Sequence, residues 1–171
     1  MESLQNEFNG IVRPITQADM EAVCQIEQEC FPSDEAEPPE QLMDRFDVAS
    51  ELFLGYEVHG KTIAFICGSR CNDELLTAQS MHEHVADGKT LCIHSVCVTG
   101  NFRRKGIASM LLKRYIAYIK ENISLISIIN LCNKVSIETQ RLPQLEGKSL
   151  YYNNYVFYQG LDYLWLLCLR R

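Results

Sequence analysis

Leu91-Cys92-Ile93-His94-Ser95-Val96-Cys97-Val98 is followed, after a short break, by Arg103-Arg104-Lys105-Gly106-Ile107-Ala108-Ser109. The first run is apolar apart from His94 and Ser95, the pattern of a strand covered on both faces in the middle of a sheet. The second run is basic, holds one glycine, and opens a stretch with Ile107, Met110, Leu111, Tyr115, Tyr118 and Ile119 on one helical stripe. Leu125 to Cys132 reads as a further apolar strand. Strand, turn, helix and strand make a βαβ unit, which places a parallel pair at the centre of an α/β fold.

Working outward toward the N-terminus, Gly10 to Arg13 reads as a short strand. Thr16 and Asp19 open a helix in a variant of the capping box, and Phe31-Pro32 closes it. Pro39 suits the first turn of a second helix running to about Ala49. Leu52 to Val58 and Thr62 to Ser69 flank His59-Gly60, which reads as a hairpin. Asn72 to Ala86 is polar and reads as partly helical, and Val135 to Ser149 gives no clear pattern. Tyr151 to Tyr155 reads as a short helix end, and Tyr155 to Gln159 with Tyr163 to Leu169 as a closing antiparallel hairpin. No repeat or linker interrupts the chain, so residues 1–171 are expected to form one domain.

A 47% hydrophobic and 22% charged composition excludes a disordered chain. The net charge of −6 argues against a nucleic-acid partner, and no apolar run is long enough to span a membrane. The N-terminus carries no export signal, so the expected compartment is the cytoplasm and the eight cysteines are expected as thiols. No Cys-x-x-Cys pair occurs, and His82 and His84 at i, i+2 do not share a helix face, so no metal site is expected. The acidic loop Asp34, Glu35, Glu37 and Glu40 reads either as a solvated loop or as an attractor of a cationic amine.

The basic turn has a specific chemistry. The first N–H groups of a helix lack backbone partners and sit at the positive end of its dipole. Gly106 leaves room for a phosphate to approach those amides, so Arg103 to Ser109 reads as a diphosphate cradle, the plainer alternative being a solvated basic helix start. A Walker loop is excluded because no Lys-Ser/Thr pair follows the glycine, and a Rossmann fingerprint because the further glycines are missing.

Arg103-x-x-Gly106-x-Ala108 after a hydrophobic strand resembles the acetyl-CoA signature of the GNAT acetyltransferases. The arylalkylamine (serotonin) N-acetyltransferase branch is similar over roughly residues 11 to 132, through Leu54-Gly55-Tyr56, Ala64-Phe65-Ile66, Gly68-Ser69, Glu74-Leu75-Leu76-Thr77 and His94 to Tyr115, and again at the C-terminal tyrosines. The resemblance implies a mixed, centrally splayed sheet with helices on both faces. It implies direct acetyl transfer from acetyl-CoA to the amine of a small arylalkylamine-like substrate, through a tetrahedral intermediate and without a metal. The backbone of Val96, Cys97 and Val98 would pair with the pantetheine arm, and residues 104 to 109 would take the pyrophosphate.

By the same resemblance His94 matches a catalytic His, while the branch's companion His is Cys92 here. Strict alternation puts His94 on one strand face with Cys92, Val96 and Val98. Imidazole, with a pKa of about 6.5, suits the removal of an ammonium proton at neutral pH. Tyr152 matches the family's catalytic Tyr, a proton donor to the departing thiolate, with Tyr151 as the rival one residue away. Phe31, Phe53 and Tyr56 are candidates to line an aromatic amine pocket. Cys97, among apolar neighbours, is expected to be an inert thiol rather than an acyl carrier. Satisfied core packing is the alternative reading of His94 and of the tyrosines. The partner expected is a small amine, and the chain a monomer or weak dimer. Two other functions stay open: acetylation of protein N-termini, lysines or polyamines, and acyl-CoA sensing without catalysis.

Overall fold

The computed structural model describes residues 9–73, 82–123, 126, 128–131, 151–152 and 155–158. Strand β1 is Ile11–Pro14, helix α1 Met20–Cys30, helix α2 Pro39–Ala49, β2 Phe53–Val58, β3 Lys61–Cys71 and β4 Thr90–Val98. Helix α3 is Ile107–Asn122, and the strands β5 Ile128–Leu131, β6 Tyr151–Tyr152 and β7 Tyr155–Tyr158 follow. The sheet order is β1-β2-β3-β4-β5-β7-β6. Among the described strands only β4 and β5 run parallel, which makes the sheet mixed with its parallel pair near the centre.

Local chemistry explains the N-terminal half. Thr16 N–H and Oγ both donate to Asp19 Oδ2, at 2.8 and 2.7 Å, and a 3-10 turn at Gln17–Asp19 leads into α1. Arg13 grips the same carboxylate through Nη1 and Nη2, each at 2.8 Å, and reaches Glu57 through Nε at 2.7 Å. That fork pins the start of α1 to β1 and β2, and it holds the Asp19 carboxyl well below the usual carboxylate range. A group so depressed stabilises the fold above its unfolded pKa, and that contribution is lost as pH falls toward the folded value. Asp19→Ala is therefore expected to cost about 1 kcal/mol or more near neutrality, the scale of a lost cap. In chemical denaturation the gap from wild type should close as the pH is lowered.

The hairpin at His59-Gly60 forms as expected, with φ of 51° and 77° at its two centre residues. Left-handed backbone at both positions matches the twist of the flanking strands. Two apolar layers cover the sheet. Met20, Val23 and Ile26 of α1, with Leu42 and Phe46 of α2, pack on Phe53, Phe65, Cys67 and Cys97. Ile107, Leu111, Tyr115, Ile116 and Ile119 of α3 pack on Leu54, Ile66, Ile93, Val96 and Val98 from the other side. Helices on both faces follow, and β4 is buried along its whole length.

Two expectations change. Tyr151–Tyr152 is a strand rather than a helix end, in keeping with the preference of aromatic residues for pleated surfaces. The partner of Tyr155–Tyr158 in its hairpin is β6, with Tyr151 opposite Val156 and Tyr152 opposite Tyr155. The segment expected at Tyr163 to Leu169, the 135–149 stretch and most of the polar stretch after Asn72 lie outside the described residues. No helix among the described residues is long and apolar enough to cross a membrane.

Candidate active site

The register of β3 against β4 decides where His94 points. Cys67 faces Ser95, but Gly68 faces Ile93, so His94 is an extra residue bulged out of the ladder. Bulges re-aim side chains and cluster near active sites. Here the bulge sends His94 to the face of α2, where its Nε2 lies 2.7 Å from Ser69 Oγ, while Val96 and Val98 turn to the face of α3. This corrects the expectation from strict alternation: His94 shares a face with Cys92, opposite Ser69, and not with Val96 and Val98. His94 is 3% exposed, and the hydroxyl of Ser69, itself buried, holds one ring nitrogen. Gly68 permits the arrangement. A Cβ there would lie 2.8 Å from the Cys92 carbonyl oxygen and 2.9 Å from Tyr115 Oη.

Ser69 also borders an open cavity of about 120 Å³ between α2 and residues 82–84. Glu37, Asp44, Arg45, Glu83 and His84 share its wall, and Arg45 pairs with Glu37. Nε2 of His94, Oγ of Ser69 and the polar cavity thus lie in line.

At the other end of β4 the strand opens. β5 pairs with Thr90 to Ile93, and among the described residues the pairing goes no further. Thr99 N–H donates to the Ile63 carbonyl at 3.0 Å, which fixes the phase of the β3–β4 ladder. By alternation the N–H and C=O of Val96 and Val98 face away from β3, into the gap beside β5. Buried backbone groups need partners, and an extended amide-bearing ligand arm fits this edge as a strand would. The Val98 carbonyl already accepts Arg103 Nε at 2.9 Å and the Cys30 thiol at 3.4 Å. Among the described residues, that leaves Val96 as the open position on both its groups.

The cradle follows directly. Gly106 is the cap of α3 with φ of 76°, and its carbonyl accepts the first helical bond, from Met110 N–H at 3.0 Å. A Cβ on Gly106 would meet nothing within 4 Å, so the space outside the turn is open. Ile107 is buried and anchors the helix, which leaves its N–H and those of Ala108 and Ser109 at the exposed rim of the first turn. Arg104, at φ of 64°, and Lys105 are exposed there. Arg103, expected as a phosphate ligand, is engaged elsewhere in this arrangement. Its guanidinium folds back to the Val98 and Glu29 carbonyls, at 2.9 and 3.1 Å, and so ties the cradle to β4 and α1.

The aromatic candidates separate. Phe31 and Phe53 belong to the layer under α1 and α2, where Phe53 meets Phe46 edge to face at 5.3 Å. Tyr56 lies in the opposite layer, under α3, so the three do not line one pocket. Tyr152 and Tyr151 lie on neighbouring positions of β6, two strands from β5. Burial pushes the Cys97 thiol well above its ordinary value, which fits an inert acyl bystander. In the sequence Ser69 stands out only within the stretch that carries the family resemblance. Its bond to His94 depends on a bulge for which the sequence carries no signal. Among the described residues no group of three or more His, Cys, Asp or Glu side chains is placed to hold a metal ion.

A strand with an open backbone edge running into a glycine-capped helix start, in a mixed sheet with its parallel pair near the centre, is the architecture that the sequence resemblance implies. The model of the acetyltransferase (GNAT) family matches residues 20–140, and the chain belongs to that family. Serotonin N-acetyltransferase of Mesocricetus auratus is 34% identical over 110 residues, which make up 63% of this chain and 53% of that protein. The human serotonin N-acetyltransferase is 30% identical over the same length. The chain thus spans about half the length of the curated relatives it matches. Among solved structures, the loading GNATL domain of CurA from Lyngbya majuscula is similar with a TM-score of 0.64 at 16% identity, over 71% of this chain and 63% of that one. A GNAT family acetyltransferase from Brucella melitensis, in complex with acetyl-CoA, gives 0.56 at 13% identity over 89% and 88%. At these identities the likeness is one of fold.

Proposed function

We propose that the chain is an acetyl-CoA-dependent N-acetyltransferase that moves the acetyl group directly to a small arylalkylamine-like substrate. The observation that carries this reading is the continuity of one strand. β4 presents His94 at its bulge, an open backbone edge at Val96, and, just beyond, the Gly106 cradle. The Brucella relative of the same fold binds acetyl-CoA, and serotonin N-acetyltransferases are among the matched relatives. The reading keeps the enzyme in the cytoplasm, as a monomer or weak dimer.

The residues divide the work. Amides at the start of α3, with Arg104 and Lys105, hold the pyrophosphate; the Val96 edge aligns the pantetheine arm. The incoming ammonium gives a proton to His94, directly or through a water, and Ser69 passes charge toward the polar cavity. The free amine attacks the thioester carbon. An N–C bond forms, the C–S bond breaks, and the sulfur leaves as thiolate or thiol. Tyr152 is the proposed donor of that last proton. Tyr152→Phe should lower kcat more than it changes substrate KM, and by less than loss of His94, because a thiolate is already a passable leaving group. Tyr151→Phe should do little. The reverse ranking moves the role to Tyr151.

One observation favours a second reading. Glu37, Asp44 and Glu83 line the cavity at Ser69 with Arg45 against Glu37, and a wall with more carboxylates than cations suits an amine with a further positive charge, such as a polyamine. A steady-state assay of acetyl transfer to arylalkylamines, polyamines and basic peptides, with His94→Ala as the control, separates the readings. Preference for arylalkylamines supports the first. Preference for polyamines selects the second. Tight acetyl-CoA binding without turnover on any amine would point to a sensor.

A further inference from the structure

Four groups meet where α1 ends against β4. Cys30 Sγ donates to the Val98 carbonyl at 3.4 Å and receives Arg103 Nη2 at 3.4 Å. Cys97 Sγ donates to Glu27 Oε2 at 3.3 Å, and it is placed to donate instead to the sulfur of Cys30 once that is a thiolate. Glu27 is fully buried, and its other oxygen accepts the Glu37 N–H at 3.2 Å. The acyl-transfer chemistry uses neither thiol and does not use this carboxylate. We propose that Cys30 and Cys97 form a redox-active dithiol that reacts with small-molecule disulfides and, once closed, weakens acetyl-CoA binding.

The two sulfurs are built for different steps. Cys30 is half-buried, so a small disulfide reaches it. The Cys97 hydrogen bond and, against burial, the Arg103 guanidinium bring the Cys30 thiol down to about 7, near working pH. An accessible thiol of that kind beside a second cysteine is the arrangement of redox sensors. The Cys30 thiolate attacks one sulfur of the disulfide, forming a mixed disulfide and expelling one thiolate. Cys97 then gives its proton to Glu27 and attacks the Cys30 sulfur, expelling the second thiolate. The protein dithiol is oxidised by two electrons, and the small disulfide is reduced to two thiols.

The site touches the cofactor strand itself. Cys97 lies between Val96 and Val98, and Cys30 shares the Val98 carbonyl with Arg103. Closing the bond takes Cys30 Sγ off both Val98 and Arg103, and so disturbs the clamp that joins β4 to the cradle. This half of the proposal rests on the acetyl-CoA reading above. Cys71 and Cys92, with sulfurs 3.4 Å apart, provide an internal control: both are buried, so neither is open to a first attack.

The test treats the full chain with oxidised glutathione and reads intact mass, peptide mapping and acetyl-CoA affinity. The expected product is lighter than the reduced chain by two hydrogens, with Cys30 linked to Cys97. Cys97→Ser should stop at a glutathione adduct on Cys30, and Cys30→Ser should give neither adduct nor bond. Oxidation is expected to weaken acetyl-CoA binding roughly tenfold, within the usual range of coupling between sites, and dithiothreitol should restore it. A Cys71–Cys92 bond instead, or no modification of Cys30, overturns the dithiol. A closed Cys30–Cys97 bond with unchanged affinity overturns its control of the cofactor. If the reduced chain binds no acetyl-CoA, the failure is that of the acetyl-CoA reading, because the mass readout decides the dithiol independently.

Discussion

His94→Gln is expected to lower kcat/KM by about 10²–10⁴-fold, the usual loss when a general base is removed. Acetyl-CoA affinity should stay nearly intact, because the Val96 edge and the Gly106 cradle do not include the imidazole. Gln is the right replacement: it keeps a polar group opposite Ser69 Oγ, which lies 2.7 Å from the native ring nitrogen, and so leaves no orphaned hydroxyl in a buried place. The deficit should shrink as the pH is raised, since the amine then loses its proton in solution. Ser69→Ala should fall between wild type and His94→Gln, because it removes the neighbour of the imidazole but not the base. A loss under threefold at neutral pH in a folded His94→Gln protein assigns the proton to another group.

Much of this site is legible in the sequence because it follows from local chemistry. Pro39 sets the start of α2, as the first-turn preference of proline indicates, and the helix runs to Ala49. An apolar run on both faces of Leu91 to Val98 places β4 at the centre, and Gly106 marks the turn of the cradle. What escapes are matters of register and side-chain return. The bulge at His94 depends on how β3 meets β4, and nothing within either run specifies it. Arg103 looks like a third phosphate ligand in a basic run, yet two carbonyls on other elements capture it. Tyr56 looks like a pocket aromatic beside Phe53, but three positions along a strand reverse the face. Tyrosines at 151 and 152 read as a helix end until their partners at 155 and 156 are known.

Gly106→Glu should abolish acetyl-CoA binding in a protein that still folds. Two effects act at once, and they must be separated. Gly106 sits at φ of 76°, where any residue with a Cβ is strained, though the space around that Cβ is open. Asn tolerates left-handed backbone better than most residues, so Gly106→Asn isolates the backbone effect. The second effect is charge. A carboxylate beside a phosphate opposes it by about 4 kcal/mol at contact distance near a protein surface, which amounts to a loss of about a thousandfold. Titration calorimetry should therefore find Gly106→Asn weakened modestly and Gly106→Glu without measurable affinity, with circular dichroism unchanged in both. Added salt should weaken the wild type, because exposed charges meet the phosphates there. Arg104→Ala and Lys105→Ala should each flatten that salt dependence. Arg103→Ala should instead loosen the join between β4 and the cradle, because its guanidinium holds carbonyls rather than facing the turn. Affinity equal to wild type in a folded Gly106→Glu protein would remove the pyrophosphate from the start of α3, and with it the reason for a left-handed glycine at that cap.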